Sequence, residues 1–595
     1  MSEVTVKIDN REVMVPAGAT ILEAAKKAGI TIPTLCAWSH MGHTPGACRV
    51  CVVEVEGMRN LVASCVYPVS DNMVVHTNSQ RVRSARKMVV ELLLSNHPAE
   101  CNHCVRNGNC ELQKVAEYTN VREVRFDYPT FSKDVIDHSS PSIVRDNRKC
   151  IHCHRCVTVC SSIQSVNVLS PAKRGPHAEV VPAFNLPIGQ TNCINCGQCV
   201  MACPVGALYE KDDIDAVWTA LQDPTKHVVV QEAPAIRANL GEEFGLAPGT
   251  LVTGKMIAAL RRLGFDKVFD TNFTADLTII EEGNELLKRV KEGGTLPMVT
   301  SCSPGWIKFC EHFYPDLLDH LSTCKSPQQM FGALAKTYYA QFAGIDPKDI
   351  VVVSIMPCTA KKFEASRPEM NSSGYRDVDY VLTTRELGRM IKEAGIDFVN
   401  LPDEEFDAPM GEYTGAGTIF GATGGVMEAA LRTVYAVVTG NDLPSLDITP
   451  VRGLDGVKEA TVTVGPLGDV KIAVAHGLAN ARKIMDLIRE KKADYAFIEI
   501  MACPGGCVAG GGSPIPTNDE IRTLRAGALY QDDGKVQKKR QSHENESVKK
   551  LYETFLKEPL GHKSHELLHT HYVKRGTDLP HIDDDTGSCG CGAHH

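Results

Sequence analysis

Thiols carry the chemistry of this chain, which holds 23 cysteines in 595 residues. Cys150, Cys153, Cys156 and Cys160 repeat the spacing of Cys193, Cys196, Cys199 and Cys203, and Pro204 follows the second run. Eight cysteines so spaced suit two four-iron clusters, with the fourth thiolate of each run ligating the other cluster. Cys150, Cys153, Cys156 and Cys203 are therefore expected around one cluster, and Cys193, Cys196, Cys199 and Cys160 around the other. Cys36, Cys48, Cys51 and Cys65 can hold a two-iron cluster, with structural zinc as the alternative. His97, Cys101, Cys104 and Cys110, taken alone, suit zinc at least as well as iron.

Three further cysteine loops lie beyond residue 300: "TSCSPGW" (300–306), "MPCTAKKFE" (356–364) and "EIMACPGGCVAGGG" (499–512). A lone thiol such as Cys302 is by default a packed core residue. Cys503 and Cys507 flank two glycines, where backbone can approach a bulky cofactor closely. Lys361 lies three residues beyond Cys358 and could donate to an anionic ligand. Met356 and Met501 precede their cysteines at matching places and could form a soft apolar wall. Cys310, in the helical pattern "IKFCEHF", reads as core, and Cys324 matches no ligand position.

The elements that must position these groups are legible as pattern. A chain this long splits into several domains. "VTVKI" and "EVMVP" alternate as a hairpin before the helical "TILEAAKKAGI", and "SQRVRSARKMVVELLLSNHPAEC" reads as a helix. From about residue 224, strands such as "HVVVQ" and "IVVVSIMP" alternate with amphipathic helices, which predicts an α/β domain with mainly parallel sheets. Reactive residues are then expected at strand C-terminal ends. The formal charge of −9 argues against nucleic acid as a partner. No signal peptide and no membrane span is expected, so cytoplasmic metal chemistry is favoured over disulfides. No G-x-G-x-x-G follows a strand and no P-loop occurs, so nicotinamide and flavin would sit on another subunit.

Together the three loops resemble the active-site signatures of [FeFe]-hydrogenases, as do "KSPQQMFGALAKTYYA", "LTTRELGRMIK" and "GATGGVMEAALRT"; with the N-terminal cysteine groups the likeness spans roughly residues 1–575. The resemblance implies an α/β multidomain protein. Its parts are an N-terminal β-grasp [2Fe-2S] domain (1–78), a small helical one-His/three-Cys module (79–119), a two-cluster [4Fe-4S] ferredoxin-like domain (140–210) and a large two-lobed α/β H-cluster domain (224–575). A flexible tail (576–595) carries Cys589, Cys591, His594 and His595, a possible metal-binding group or a terminal scar.

The implied cofactors are one [2Fe-2S] cluster, three accessory [4Fe-4S] clusters and the H-cluster. The last is a [4Fe-4S] cluster joined through a cysteine sulfur to a two-iron site with CO, cyanide and a dithiolate amine. By the same resemblance Cys358, Cys503 and Cys507 are ligands, with Cys507 bridging, and Lys361 bonds a cyanide. Met356, Met501, Ala233, Pro234 and Gln328 line the two-iron site. The family's first loop has two adjacent cysteines, a proton donor and then a ligand. Ungapped, Cys302 takes the donor place and Ser303 the ligand place; a shifted loop would make Cys302 the ligand. The resemblance also implies a proton relay Cys302–Glu282–Ser322–Glu285–Arg289, against which a solvated charged helix face must be weighed. Implied partners are a flavoprotein subunit with NAD(H) and FMN, a small iron–sulfur subunit and ferredoxin, in a hetero-oligomer that could bifurcate electrons. Coupling to formate dehydrogenase is the runner-up. A complex I-like electron-transfer subunit or a hydrogen sensor is the rival from another class.

Overall fold

The computed structural model describes residues 2–38, 44–127 and 136–578. Strands Glu3–Ile8 and Arg11–Pro16 form the expected hairpin, which the strands Val74–His76, Val52–Val55 and Val62–Ala63 extend into a five-stranded sheet. Val6, Ile8 and Val15 alternate into the core beneath helix Ile21–Lys27. Thr20 and Glu23 start that helix with a reciprocal capping box. Helix Gln80–Ser95, capped by Ser79, delivers the chain to His97, and helix Glu111–Tyr118 follows Cys110.

The eight-cysteine region folds as an internal pair. Short helices Arg155–Thr158 and Gln198–Ala202 are each preceded by a left-handed residue, His154 at φ 61° and Gly197 at φ 67°. A histidine tolerates that backbone, so conformation alone does not require glycine. Close approach does: a Cβ on Gly197 would lie 2.4 Å from Thr359 Oγ1 in the catalytic domain. The accompanying sheet begins at Ile136, ahead of the boundary expected at 140.

The region from about residue 224 contains two four-stranded sheets. Strands Lys267–Asp270, His227–Glu232, Ile350–Met356 and Tyr380–Thr383 are parallel throughout. Met298–Val299, Phe497–Met501 and Asp469–His476 are parallel as well, with Val457–Thr463 antiparallel at the edge. Both faces are covered, so the central strands read as continuous apolar runs rather than alternating ones. Segment 519–575 ties back onto this unit through buried ion pairs, Arg525 to Glu242 at 2.7 Å and Asp533 to Arg432 at 2.9 Å. Among the described residues no helix is long and apolar enough to cross a membrane. Cys310 is buried in helix Pro304–Phe313 against Tyr314, as a core thiol should be. Cys589, Cys591, His594 and His595 lie outside the described residues.

Candidate active site and its wiring

Cys302 follows Met298–Val299, Cys358 follows Ile350–Met356, and Cys503 follows Phe497–Met501. The first and third strands belong to one sheet and the second to the other, so the loops meet in a cavity between the two sheets. Cys302, Ser303, Cys358, Cys503 and Cys507 line it. Met356, Met501, Ala233, Pro234, Gln328 and Lys361 also line it. Gly510 admits this packing, because a Cβ there would lie 2.0 Å from the Pro357 carbonyl oxygen.

Cys302 and Ser303 face different surroundings. Burial pushes the Cys302 thiol well above its ordinary range, and the neighbouring Glu282 and Cys507 push it further. It is therefore a neutral, proton-bearing group. Ser303 is the N-cap of helix Pro304–Phe313, yet its side chain makes no capping bond. A serine there usually spends its oxygen on the first turn. Instead the Ser303 hydroxyl oxygen accepts from the Ala502 N–H at 3.3 Å and remains on the cavity wall. The helix N-terminus favours negative charge on that oxygen.

Lys361 donates to the Cys302 carbonyl at 3.2 Å and to Glu364 Oε2 at 2.9 Å. An ammonium has three N–H donors, which leaves one for an anion in the cavity. Glu364 also takes Gln328 Nε2 at 3.0 Å and the Ser326 hydroxyl at 2.8 Å. This carboxylate orients two of the expected site residues and was missed in the sequence, where the only signal was its helical spacing from Lys361.

Glu282 and Glu285 lie on helix Thr271–Glu292 and are buried, so the solvated-face alternative fails. Burial pushes the Glu282 carboxyl up to about 8, opposed by its hydrogen bond with Ser322 and reinforced by Glu285. Ser322 Oγ donates to Glu285 Oε2 at 3.1 Å, and Arg289 Nη2 donates to Glu285 Oε1 at 2.6 Å. These contacts lead from beside Cys302 to the half-buried Arg289.

The accessory groups also assemble. Cys36 lies beside Cys48 and Cys65, and Cys51 beside Cys65, so the four thiols form one group. His97, Cys101, Cys104 and Cys110 line a second cavity. Cys150, Cys153, Cys156 and Cys203 line a third, and Cys160, Cys193, Cys196 and Cys199 a fourth, which is the crossed partition expected from the spacing. Burial, with repulsion from neighbouring thiolates, drives the Cys156, Cys196 and Cys199 thiols well above their ordinary range. Such crowding is costly without a cation and favourable around iron, so the donor sets fit iron–sulfur clusters. Gly206 abuts the one-His/three-Cys group: a Cβ there would lie 2.7 Å from Cys104 Sγ. Gly206→Ala should therefore remove that cluster alone, seen as about four fewer iron atoms per chain with the other clusters' paramagnetic signals retained. An unchanged iron content would show that Cys104 does not bind there.

Family models match along the chain in the same order. They are a 2Fe-2S iron-sulfur cluster binding domain (1–80), the NADH-ubiquinone oxidoreductase-G iron-sulfur binding region (86–125) and a 4Fe-4S dicluster domain (149–207). The iron only hydrogenase large subunit, C-terminal domain, matches 226–511. NADP-reducing hydrogenase subunit HndD of Solidesulfovibrio fructosivorans is 54% identical over 97% of this chain and 100% of its own length. The chain belongs to the iron-only hydrogenases. Iron hydrogenase 1 of Clostridium pasteurianum is 43% identical over 93% of this chain and 97% of its own. A solved [FeFe]-hydrogenase, HydA1 from Chlamydomonas reinhardtii, superposes with a TM-score of 0.55 at 47% identity, covering 61% of this chain and 99% of that one. This hydrogenase is thus a catalytic subunit carrying 2Fe-2S, 4Fe-4S and H-cluster domains, and the zinc alternatives fall. Residues 519–575 match the iron hydrogenase small subunit, a division not visible in the sequence pattern.

Proposed function

We propose that this hydrogenase chain works in the cytoplasm, interconverting protons and H2 at the cavity between its two sheets. The reading rests chiefly on the meeting of Cys302, Ser303, Cys358, Cys503 and Cys507 at one cavity joined to a buried carboxyl path. Cys358, Cys503, Cys507 and Ser303 would hold the four-iron part of the H-cluster. The H-cluster supplies a low-potential iron site and a basic amine. Cys302 would hold a proton on the cavity wall for such an amine, and Glu282 would resupply Cys302 from Ser322, Glu285 and Arg289. Lys361, held by Glu364, orients an anionic ligand. Met356, Met501, Ala233, Pro234 and Gln328 keep the remaining wall largely apolar and exclude water.

Electrons would arrive by two branches. Arg155 donates to the Ala37 carbonyl at 2.9 Å and to Glu111 at 2.8 Å, clamping the two N-terminal cysteine modules to the third. Both branches would converge on Cys150, Cys153, Cys156 and Cys203. The next group reaches the active site through Cys196, which lines both cavities.

HndD is named as NADP-reducing, and residues 86–125 match a module of an NADH-oxidising enzyme. These support a hetero-oligomer with a flavoprotein subunit for NAD(P)H, a small iron–sulfur subunit and ferredoxin, able to bifurcate electrons. Purified, matured chain should show CO and CN infrared bands and evolve hydrogen from an artificial reductant without oxidising NADH or NADPH. Absence of the bands would defeat the assignment of the H-cluster, and nicotinamide oxidation by the chain alone would defeat that of the partner.

A further inference from the structure

Glu285, Cys324 and His569 present one carboxylate oxygen, one sulfur and one imidazole nitrogen within 4.8 Å of one another, all on buried side chains. Backbone pairing keeps them there. Cys324 bridges His569 in antiparallel register, Lys325 N–H donates to the Leu568 carbonyl at 2.7 Å, and Thr570 N–H to the Thr323 carbonyl at 2.8 Å. The histidine comes from the small-subunit-like segment and the other two groups from the large-subunit region, so the cluster exists only because the two are joined.

The imidazole is already oriented as metal-binding histidines are. Its Nε2 lies 3.2 Å from Glu281 Oε2. That carboxyl also takes the Tyr552 hydroxyl at 2.5 Å and the Leu560 N–H at 2.9 Å. Against the effect of burial, these bonds hold Glu281 below the usual carboxylate range, so it accepts only and Nε2 carries the proton. Nδ1 is left as the donor nitrogen, 2.8 Å from the Thr323 hydroxyl. A carboxylate behind a histidine is the usual outer support of a zinc ligand. The exposed His565 lies tilted against His569, with ring centroids 4.3 Å apart.

We propose that Glu285, Cys324 and His569 form a Zn2+ site, and that zinc there stops hydrogen turnover by taking Glu285 out of the proton relay. A glutamate, a thiolate and a neutral imidazole cancel the charge of the dication, so the buried site is neutral when filled. The ion accepts electron pairs from Oε, Sγ and Nδ1, and the one proton displaced, from the Cys324 thiol, leaves to solvent. Bond lengths of about 2.0–2.3 Å require the donors to close by about 1 Å. The Glu285 oxygen that binds zinc can no longer accept a proton from the path, whose outer half runs through this carboxylate from Ser322 to Arg289.

The inhibitory part rests on the relay proposed above, whereas the binding part does not. Zinc sulfate titrated into the matured holoenzyme should bind at one equivalent with a sulfur ligand seen by X-ray absorption. Turnover from an artificial reductant should fall to a small fraction and recover with a chelator, while the H-cluster infrared bands stay unchanged. Cys324→Ala removes only a long thiol contact to Glu285, at 3.8 Å, so it should keep most of its turnover and need roughly tenfold more zinc or more. His569→Gln provides the same comparison if that variant assembles poorly. No bound equivalent, or equal zinc sensitivity in the parent and both variants, overturns the site. One bound equivalent that the variants lose, with full turnover in the zinc-loaded parent, keeps the site and overturns the passage of protons through Glu285.

Discussion

Glu282→Gln is expected to leave every cluster and infrared band in place while lowering turnover by roughly two orders of magnitude or more. Glutamine keeps the size and polarity but cannot take up or release a proton. In the native chain burial has pushed the Glu282 carboxyl up to about 8, so below that pH it holds a proton beside Cys302. The sign follows directly. As pH rises through about 8 Glu282 becomes a carboxylate, its donor form is depleted, and hydrogen evolution should fall along that limb. The variant should lose the limb together with the rate. Turnover within a factor of two of the parent would remove Glu282 from the path.

Cys302→Ser should assemble all clusters and yet be nearly inactive, with a loss of roughly 10²–10⁴-fold. A serine hydroxyl is a far weaker acid than a thiol and passes its proton to an amine poorly. Ser303→Ala should act on the cluster instead: it removes the oxygen and leaves three ligands, so the four-iron part should be lost. Ser303→Cys should retain it, because iron in such clusters takes thiolate readily. Iron counting with infrared spectroscopy on the three variants separates the roles. Loss of the cluster in Cys302→Ser, with retention in Ser303→Ala, would exchange the two assignments.

The local environments make this test sharp. Cys302 shares the cavity with Cys507 and Lys361 and feels the charge of Glu282, the first carboxyl of the path. Ser303 accepts from the Ala502 N–H and heads its own helix. The two neighbours line one cavity with different partners, so one can serve the path while the other serves the metal.

What the sequence by itself determined was whatever spacing encodes. The repeated cysteine runs carry the crossed partition of two clusters, because ligand spacing within a short loop is a local property. The apolar runs "HVVVQ" and "IVVVSIMP" marked buried parallel strands for the same kind of reason: both faces are covered, so alternation vanishes. The thiol loops beyond residue 300 could be found, and the likeness they carry named the family. Tertiary structure alone decided the rest. Glu282 and Glu285 share a helix face at spacings that suit solvent equally well, and only tertiary packing, including segment 322–324, buries them. Glu364, the support of Lys361 and Gln328, gains its meaning from Gln328 and Ser326, which are distant in the chain. Gly206 and Gly197 look like ordinary turn glycines until a thiol of one module and a threonine of another close on them. Burial, close approach and the meeting of distant strands depend on how elements pack, and the order of residues along one element does not specify that.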